Sequence, residues 1–304
     1  MTFRAALRSM RLRTLPLSLS GVVLGILLAV ADYHVRPATA VLIMLTTVCL
    51  QILSNLSNEL GDVLHGTDTA DRQGPRYGLN GGEMTVRDMR LLIGLFVALS
   101  IAFGLWMIKV SYGTLLCMDG VCLMLLGAAA ILGAMKYTLG RNPYGYRGLG
   151  DLFVFLFFGL VSVLGSYFVA SHAFPHPFLL LPASAIGCFS VGVLNVNNIR
   201  DMKTDAANRT TVALRLGPKG ARIYQTVLIV LGWVLLLTFS FLRYLDPWHF
   251  LFVITLPLYV MHLRGVWKRK DRELDPMLPL LVSATFLLAL LMGFGYTVFL
   301  LSGV

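Results

Sequence analysis

The sequence predicts an all-α integral membrane protein whose transmembrane helices form one bundle. The chain has 304 residues, of which 57% are hydrophobic and only 13% are charged. Soluble domains contain about 25% charged residues, so this composition indicates a membrane protein. Nine apolar stretches are each long enough to cross about 30 Å of hydrocarbon. The predicted spans are residues 15–31, 39–57, 89–108, 113–134, 151–171, 177–196, 221–241, 247–263 and 277–301.

The distribution of positive charge predicts the orientation of these spans. The chain has 25 Lys and Arg residues, and all but Arg36, Lys109 and Arg243 fall on the side of the N-terminus. Cytoplasmic loops of membrane proteins contain an excess of Lys and Arg. We therefore expect a cytoplasmic N-terminus in the cell inner or plasma membrane. The net charge of +10 indicates contact with membrane lipid. It does not indicate nucleic acid, because no basic patch interleaved with aromatic residues stands apart from the spans.

Two clusters of Asn and Asp follow the second and sixth spans, on the predicted cytoplasmic side. The first contains Asn58, Asp62 and Asp68, and the second repeats an acid or amide every four residues at Asn197, Asp201 and Asp205. On a helix the second spacing places the three side chains on one face. One such cluster could be a solvated helix end. Two at equivalent positions favour a functional site, because polar groups at membrane helix ends are costly.

The two clusters lie four spans apart with the same orientation. This spacing predicts a single domain over residues 1–304. The domain would contain two pseudo-repeats, at about 1–134 and 135–263, and a last span at 277–301. The loop of about residues 58–88 is long for a connector, which favours a role in a site or a lid. The four cysteines lie inside apolar runs and do not indicate disulfides or a zinc site.

The residue types in the clusters suggest chemistry on a phosphorylated lipid. Carboxylate and amide oxygens are ligands that Mg²⁺ prefers, and the surrounding Arg and Lys side chains can share a phosphate with the cation. A diphosphate held in this way becomes a better leaving group, so that an allylic C–O bond can break. The apolar helices would bind a hydrocarbon tail and exclude water from the carbocation.

These motifs resemble the UbiA superfamily of intramembrane aromatic prenyltransferases. The resemblance is found in Asn58-x3-Asp62-x5-Asp68 and in Asn197-x3-Asp201-x3-Asp205, and it extends over essentially the whole chain. The stretch Tyr144-Gly-Tyr-Arg-Gly-Leu-Gly-Asp151 is most similar to the branch that uses 1,4-dihydroxy-2-naphthoate as acceptor. The sequence departs from the family pattern at Glu59, where Asp is common, and at Arg209, where Lys is usual.

The resemblance implies that a polyprenyl diphosphate alkylates 1,4-dihydroxy-2-naphthoate to give demethylmenaquinol, with loss of diphosphate and CO₂. It also implies three sets of site residues. Mg²⁺ would be held by Asn58, Asp62, Asp68, Asn197, Asp201 and Asp205. Diphosphate would be bound by Arg72, Lys136, Arg147 and Arg209, with Arg13 as a further candidate. Either Tyr137 or Tyr146 would face the carbocation or the aromatic acceptor.

Two alternatives remain open from the sequence. A member of the 4-hydroxybenzoate or haem branch would share both Asp motifs and differ in the acceptor. An ion-coupled transporter would also use intramembrane carboxylates, but these would lie near the bilayer midplane beside broken helices. The clusters here instead follow the ends of apolar runs, which favours the enzyme.

Overall fold

A computed structural model describes residues 2–66, 75–206 and 209–301, with side chains up to residue 298. The predicted site residues Asp68 and Arg72 lie outside the described residues. Nine helical segments of the described chain are long and apolar enough to cross a membrane, which confirms the predicted number of spans. They are Phe3–Asp32, Pro37–Leu64, Val86–Tyr112, Met118–Lys136, Gly150–Ser171, Pro177–Arg200, Val212–Leu242, Pro247–Lys268 and Asp271–Val298.

Several spans are built from more than one helix. The α-helices, in chain order, are α1 (Phe3–Met10), α2 (Leu15–Asp32), α3 (Pro37–Leu64), α4 (Val86–Tyr112), α5 (Met118–Lys136), α6 (Gly150–Val154), α7 (Ser166–Ser171), α8 (Leu180–Arg200), α9 (Met202–Asp205), α10 (Val212–Leu242), α11 (Leu256–Lys268) and α12 (Met277–Leu301). Short 3₁₀ segments precede α2, α8, α11 and α12 at Leu12–Thr14, Pro177–Leu179, Pro247–Thr255 and Asp271–Leu274, and another covers Tyr144–Tyr146.

Local sequence signals explain where several helices begin and end. Thr85 and Asp88 form a capping box at the start of α4, each side chain accepting a hydrogen bond from the other residue's backbone N–H. The chain turns at Gly66, whose φ of 66° lies in the left-handed region that glycine favours. Arg11 also has a positive φ, 49°. This bend separates the amphipathic helix α1 from the first long apolar helix, α2.

The fifth span contains a π-helical segment, Phe155–Gly165, between α6 and α7. Wider π-helical turns occur mostly at functional sites. The backbone of this segment touches α8: a Cβ atom on Gly159 would lie 2.6 Å from the Cα atom of Gly187. A glycine is therefore required at this crossing, which brings the fifth and sixth spans together.

Helix α8 is the centre of the bundle. In the sixth span 61% of the most apolar window is buried inside the protein, against 6% in the fourth span, which contains α5. Helix α8 packs on α10, on the π-helical segment and on α12. Phe189 and Ile186 of α8 are fully buried in the main core. A separate core joins α1, α3 and α4 around Leu53 and Met89. The second cluster therefore extends from the most enclosed helix.

The second cluster continues from α8 through a one-residue break in the helix at Asp201. Helix α8 ends at Arg200, and Asp201 forms the connection to the short α9 with φ −94° and ψ 6°. Asn197 therefore lies on α8, and Asp205 ends α9. Backbone hydrogen bonds of helical spacing cross the break: the Asp201 N–H donates to the Asn197 carbonyl at 3.1 Å, and the Asp205 N–H donates to the Asp201 carbonyl at 2.9 Å. The four-residue spacing in the sequence thus matches the local hydrogen bonding of the chain.

Candidate active site

Two adjoining cavities lie between the helices. One has a volume of about 230 Å³ and a polar wall that includes residues of both Asn/Asp clusters. The other is about 360 Å³ and mostly apolar. They share wall residues, among them Asn58, Tyr137 and Phe158. A space for a polar head group therefore adjoins a space for a hydrocarbon chain.

Helix α3 places Asn58 and Asp62 of the first cluster on the wall of the polar cavity. The Asp62 side chain is buried and accepts a 2.8 Å hydrogen bond from the Tyr146 hydroxyl. Asn58, one turn earlier, accepts a 3.3 Å bond from the Thr138 hydroxyl. Thr138 can approach because residue 61 is glycine: a Cβ atom there would lie 2.5 Å from the Thr138 Oγ1 atom. The loop after the fourth span thus packs against α3 beside Asn58 and is hydrogen-bonded to it.

In the second cluster one arginine binds two of the three predicted metal ligands. Arg200 is buried and donates to both carboxylate oxygens of Asp201, at 2.9 and 2.6 Å. It also donates to Asn197 Oδ1 and to Asp275 Oδ1, both at 2.7 Å. Arg200, Asn197 and Asp275 line the polar cavity. This arrangement neutralises Asp201 within the protein and adds a residue from the start of the last span.

Arg209 lies between the two clusters. One of its terminal nitrogens is 2.8 Å from Asp205 Oδ1. Burial alone would lower the pKa of Arg209, but the carboxylates of Asp62 and Asp205 raise it. Burial raises the pKa of Asp205 to about 6, and Arg209 opposes this effect while Asp201 and Asp62 add to it. The two clusters are therefore electrostatically coupled through one buried arginine.

The three tyrosines of the third loop occupy different places. Tyr146 belongs to the polar side: it bonds Asp62, and the Arg209 guanidinium lies 5.8 Å from its ring centroid. Tyr137 lines both cavities, and burial raises the pKa of its hydroxyl, which therefore stays protonated. Tyr144 lines the apolar cavity and donates a 2.7 Å bond to the Gly133 carbonyl.

Only some of the predicted diphosphate-binding residues that the structure describes line the polar cavity. Arg13 lines the polar cavity and donates a 2.9 Å hydrogen bond to the Tyr77 hydroxyl. Arg209 lines it too. Lys136 and Arg147 have exposed side chains, and neither is among the described residues of that wall.

Sequence reasoning missed four residues of this site. Arg200 was seen as part of the charged surroundings of the second cluster without a role of its own. Asp275 precedes the last predicted span, and no local signal joins it to a cluster distant in sequence. Arg11 and Tyr77 also line the cavity, with the Arg11 guanidinium carbon 3.9 Å from the Tyr77 ring centroid. Arg11 stands two residues before the predicted site residue Arg13, which is the one available signal.

The residues present suit Mg²⁺. In the polar wall, the possible ligands Asn58, Asp62 and Asn197 offer only oxygen atoms, which hard divalent cations prefer. No group of three or more His, Cys, Asp and Glu side chains in the described ranges forms a metal cage by itself. Such partial ligation is typical of Mg²⁺, which often completes its shell with substrate phosphates and water. The buried Arg209 Nε atom has no described hydrogen-bond partner, which leaves a donor for an anion.

Known proteins are similar in sequence to nearly the whole of this chain. It is 38% identical to the 1,4-dihydroxy-2-naphthoate octaprenyltransferase of Escherichia coli over 96% of this chain and 94% of that protein. It is 36% identical to the Haemophilus influenzae protein of the same name, over 93% and 94% of the two chains. The Mycobacterium tuberculosis enzyme with that name is 36% identical, over 88% of each chain.

Solved structures share the fold. A UbiA homologue from Aeropyrum pernix K1 aligns with a TM-score of 0.71 at 19% identity, covering 95% of this chain and 99% of that one. A homologue from Archaeoglobus fulgidus, bound to GPP and Mg²⁺, aligns with a TM-score of 0.67 at 17% identity, covering 97% and 99%. The sequence also matches the sequence model of the UbiA prenyltransferase family over residues 18–277. The resemblance inferred from the two Asp motifs is thereby confirmed, and the chain belongs to the UbiA prenyltransferase family.

Proposed function

We propose that this protein transfers a polyprenyl group from a polyprenyl diphosphate to 1,4-dihydroxy-2-naphthoate, a step of menaquinone biosynthesis. The observation that supports this most directly is the junction of the two cavities. The polar one has carboxylates and arginines for a diphosphate, and the apolar one suits a prenyl chain. The names of the three relatives support the choice of acceptor.

The two clusters would bind Mg²⁺ and diphosphate together. The proposed metal ligands are Asn58, Asp62, Asp68, Asn197, Asp201 and Asp205. When bound, Mg²⁺ would neutralise charge that develops on the departing diphosphate. Arg209 and Arg13 would bind phosphate oxygens from the cavity wall, and Arg72, Lys136 and Arg147 are proposed to assist from the surrounding loops. A guanidinium suits this task because its planar fork can hold two oxygens at once.

Reaction would take place where the two cavities meet. The allylic C–O bond breaks, and its electron pair leaves with diphosphate. A ring carbon of the acceptor forms the new C–C bond, and the carboxylate leaves as CO₂, which restores the aromatic ring. Of the two candidate tyrosines, Tyr137 would face the cation, a role that its position in the walls of both cavities supports. Tyr146 would act through Asp62, to which it donates a hydrogen bond.

The apolar cavity would protect the carbocation. Its wall includes Phe153, Phe157 and Phe158, and Phe153 stacks on Tyr144 with 4.0 Å between ring centroids. Exclusion of water from this space prevents hydrolysis of the prenyl group. The site would lie on the cytoplasmic side of the cell inner or plasma membrane, which the asymmetric distribution of Lys and Arg supports.

Prenyl transfer by the purified protein tests this function. One polyprenyl diphosphate would be supplied with either 1,4-dihydroxy-2-naphthoate or 4-hydroxybenzoate, with and without Mg²⁺. We expect product only from the naphthoate and only with Mg²⁺. Product from 4-hydroxybenzoate alone would retain the mechanism and overturn the acceptor. Absence of product from every acceptor, by a folded protein, would revive the transporter alternative.

A further inference from the structure

Arg11 has hydrogen-bond donors that nothing in the described structure satisfies. Its Nε atom and one terminal nitrogen are inaccessible to solvent, and neither has a hydrogen-bond partner among the described residues. Most buried donors are paired, so an unpaired guanidinium needs an explanation. Arg11 lines the polar cavity. An anion bound in that cavity would satisfy these donors.

The backbone holds Arg11 in an uncommon conformation. Its φ of 49° is in the left-handed region, which non-glycine residues rarely adopt. Three neighbouring contacts hold the bend. Thr14 Oγ1 donates to the Arg11 carbonyl at 2.9 Å, and Asn55 Nδ2 donates to the Met10 carbonyl at 2.9 Å and to Thr14 Oγ1 at 3.0 Å. Asn55 is on α3, one turn before Asn58. Strain maintained in this way often indicates a functional position.

The Arg11 side chain lies on an aromatic ring that is itself fixed. Its guanidinium carbon is 3.9 Å from the Tyr77 ring centroid. The Asn80 side chain accepts a hydrogen bond from the Tyr77 backbone N–H. Buried Glu59 accepts from the backbone N–H groups of Leu79 and Asn80, at 2.7 and 3.2 Å. Arg11 is therefore oriented before any ligand binds, which reduces the entropy cost of binding.

We propose that Arg11 binds the carboxylate of the aromatic acceptor and so helps to select an aromatic acid. This inference rests on the proposed function. Arg13 already bonds the Tyr77 hydroxyl, whereas Arg11 keeps unpaired donors for a planar anion. A guanidinium binds a carboxylate in a bidentate manner, and the adjacent Tyr77 ring offers a flat surface to an aromatic ligand. Diphosphate is the other anion that could use these donors.

Equilibrium binding distinguishes the two anions. The probes would be fluorescent 1-hydroxy-2-naphthoate, 1-naphthol, which lacks the carboxylate, and a prenyl thiodiphosphate. For Arg11→Gln we expect the Kd of the naphthoate to rise about tenfold or more, as for loss of a charged hydrogen bond. The Kd values of 1-naphthol and of the thiodiphosphate should change less than about twofold, and Arg11→Lys should recover part of the loss. Arg4→Gln, at an exposed position of α1, is the matched control.

Each contrary result has a distinct meaning. Equal weakening of the naphthoate and of 1-naphthol would assign Arg11 a structural role. Weakening confined to the thiodiphosphate would place it in the diphosphate site. Either result overturns the proposal. Failure of the proposed function would appear differently, as a wild-type protein that transfers no prenyl group to the naphthoate. In the expected case, prenyl transfer by Arg11→Gln shows a raised acceptor KM and an unchanged KM for the prenyl diphosphate.

Discussion

The two Asn/Asp clusters look alike in sequence but differ in the partners of their carboxylates. In the first, Asp62 is hydrogen-bonded by the neutral hydroxyl of Tyr146. In the second, Asp201 and Asp205 each form an ion pair, with Arg200 and Arg209. Arg209 interacts with Asp62 and with Asp205, so the two clusters share this arginine, whereas Asp201 is bound by an arginine of its own. A repeated spacing therefore does not indicate that the two motifs have equal roles.

The largest effect we expect is on stability, from removal of a neutralising arginine. Arg200→Gln leaves Asp201 buried and unpaired, which should lower the free energy of unfolding by about 3–5 kcal/mol. Asp201→Asn in the same chain should recover much of the loss. Lys203→Gln breaks an exposed ion pair with Asp271, and as a control it should cost less than about 1 kcal/mol. Unfolding of the variants in one detergent measures this. Equal losses in the free energy of unfolding for Arg200→Gln and Lys203→Gln would show that buried Asp201 does not need an arginine of its own.

The next effect concerns the metal. Asp62→Asn removes the carboxylate of the first cluster that lines the polar cavity, so we expect kcat to fall by about 10²–10³-fold with the fold retained, as for loss of one group that stabilises charge in a transition state. The binding of Mn²⁺, followed by its electron paramagnetic resonance, should weaken more for Asp62→Asn than for Asp201→Asn. The opposite order would show that the second cluster dominates metal binding. Near-normal turnover by Asp62→Asn would exclude metal-assisted departure of diphosphate at this cluster.

A smaller effect should appear on acidification. The pKa of Asp205 is about 6, above the ordinary value of 3.8, because of burial. Its carboxylate is therefore lost as pH falls through about 6, and a protonated acid does not bind Mg²⁺. We expect the apparent Mg²⁺ affinity to be constant above this pH and to fall by up to about tenfold per pH unit below it. Arg209→Gln should move the decline to higher pH, since Arg209 opposes the rise in pKa. An unmoved decline would assign it to another group.

The smallest effect separates two tyrosines. Tyr146→Phe removes the hydrogen bond to Asp62, so the Mg²⁺ concentration for half-maximal activity should rise about five- to tenfold. Tyr144→Phe is the control, because the Tyr144 hydroxyl donates its hydrogen bond to the Gly133 carbonyl and not to a carboxylate in the described part of the chain. It should leave the Mg²⁺ requirement unchanged. Similar shifts in both variants would mean that the loop as a whole, and not the bond to Asp62, supports the metal.

The sequence was sufficient for the architecture because the signals for it are local. Hydropathy predicted nine spans, and Thr85 with Asp88 provides a local signal for the start of α4. The segment Val212–Leu242 begins before the predicted start of the seventh span, but its backbone is non-helical at Gly217, with φ 69° and ψ 174°. Two helices meet there, and the predicted span 221–241 lies in the second of them. The helix containing Asn58 and Asp62 likewise extends to Leu64, beyond the apolar run.

The pairing of charges could not be predicted. Arg200 has several charged or amide neighbours in sequence, and only the fold selects Asp201, Asn197 and Asp275 as its partners. Spacing cannot distinguish a carboxylate that faces a cavity from one that lies behind an arginine. The sequence also could not predict that Lys136 and Arg147 have exposed side chains, because a basic residue beside glycines suits a phosphate site and a solvated loop alike. The proposed pseudo-repeats remain a prediction.

Glu59 has a consequence for how this enzyme can diverge. Its carboxylate holds the turn at Leu79 and Asn80, beside the Tyr77 ring that supports Arg11. Asp at this position is one methylene shorter and would reach these amides less well. An exchange between Glu and Asp could therefore adjust the acceptor side of the cavity while Asp62 and Arg209 remain in place. Substitutions at a position that contacts no substrate would thus change which acceptor binds. The residues proposed to assist the departure of diphosphate would stay the same.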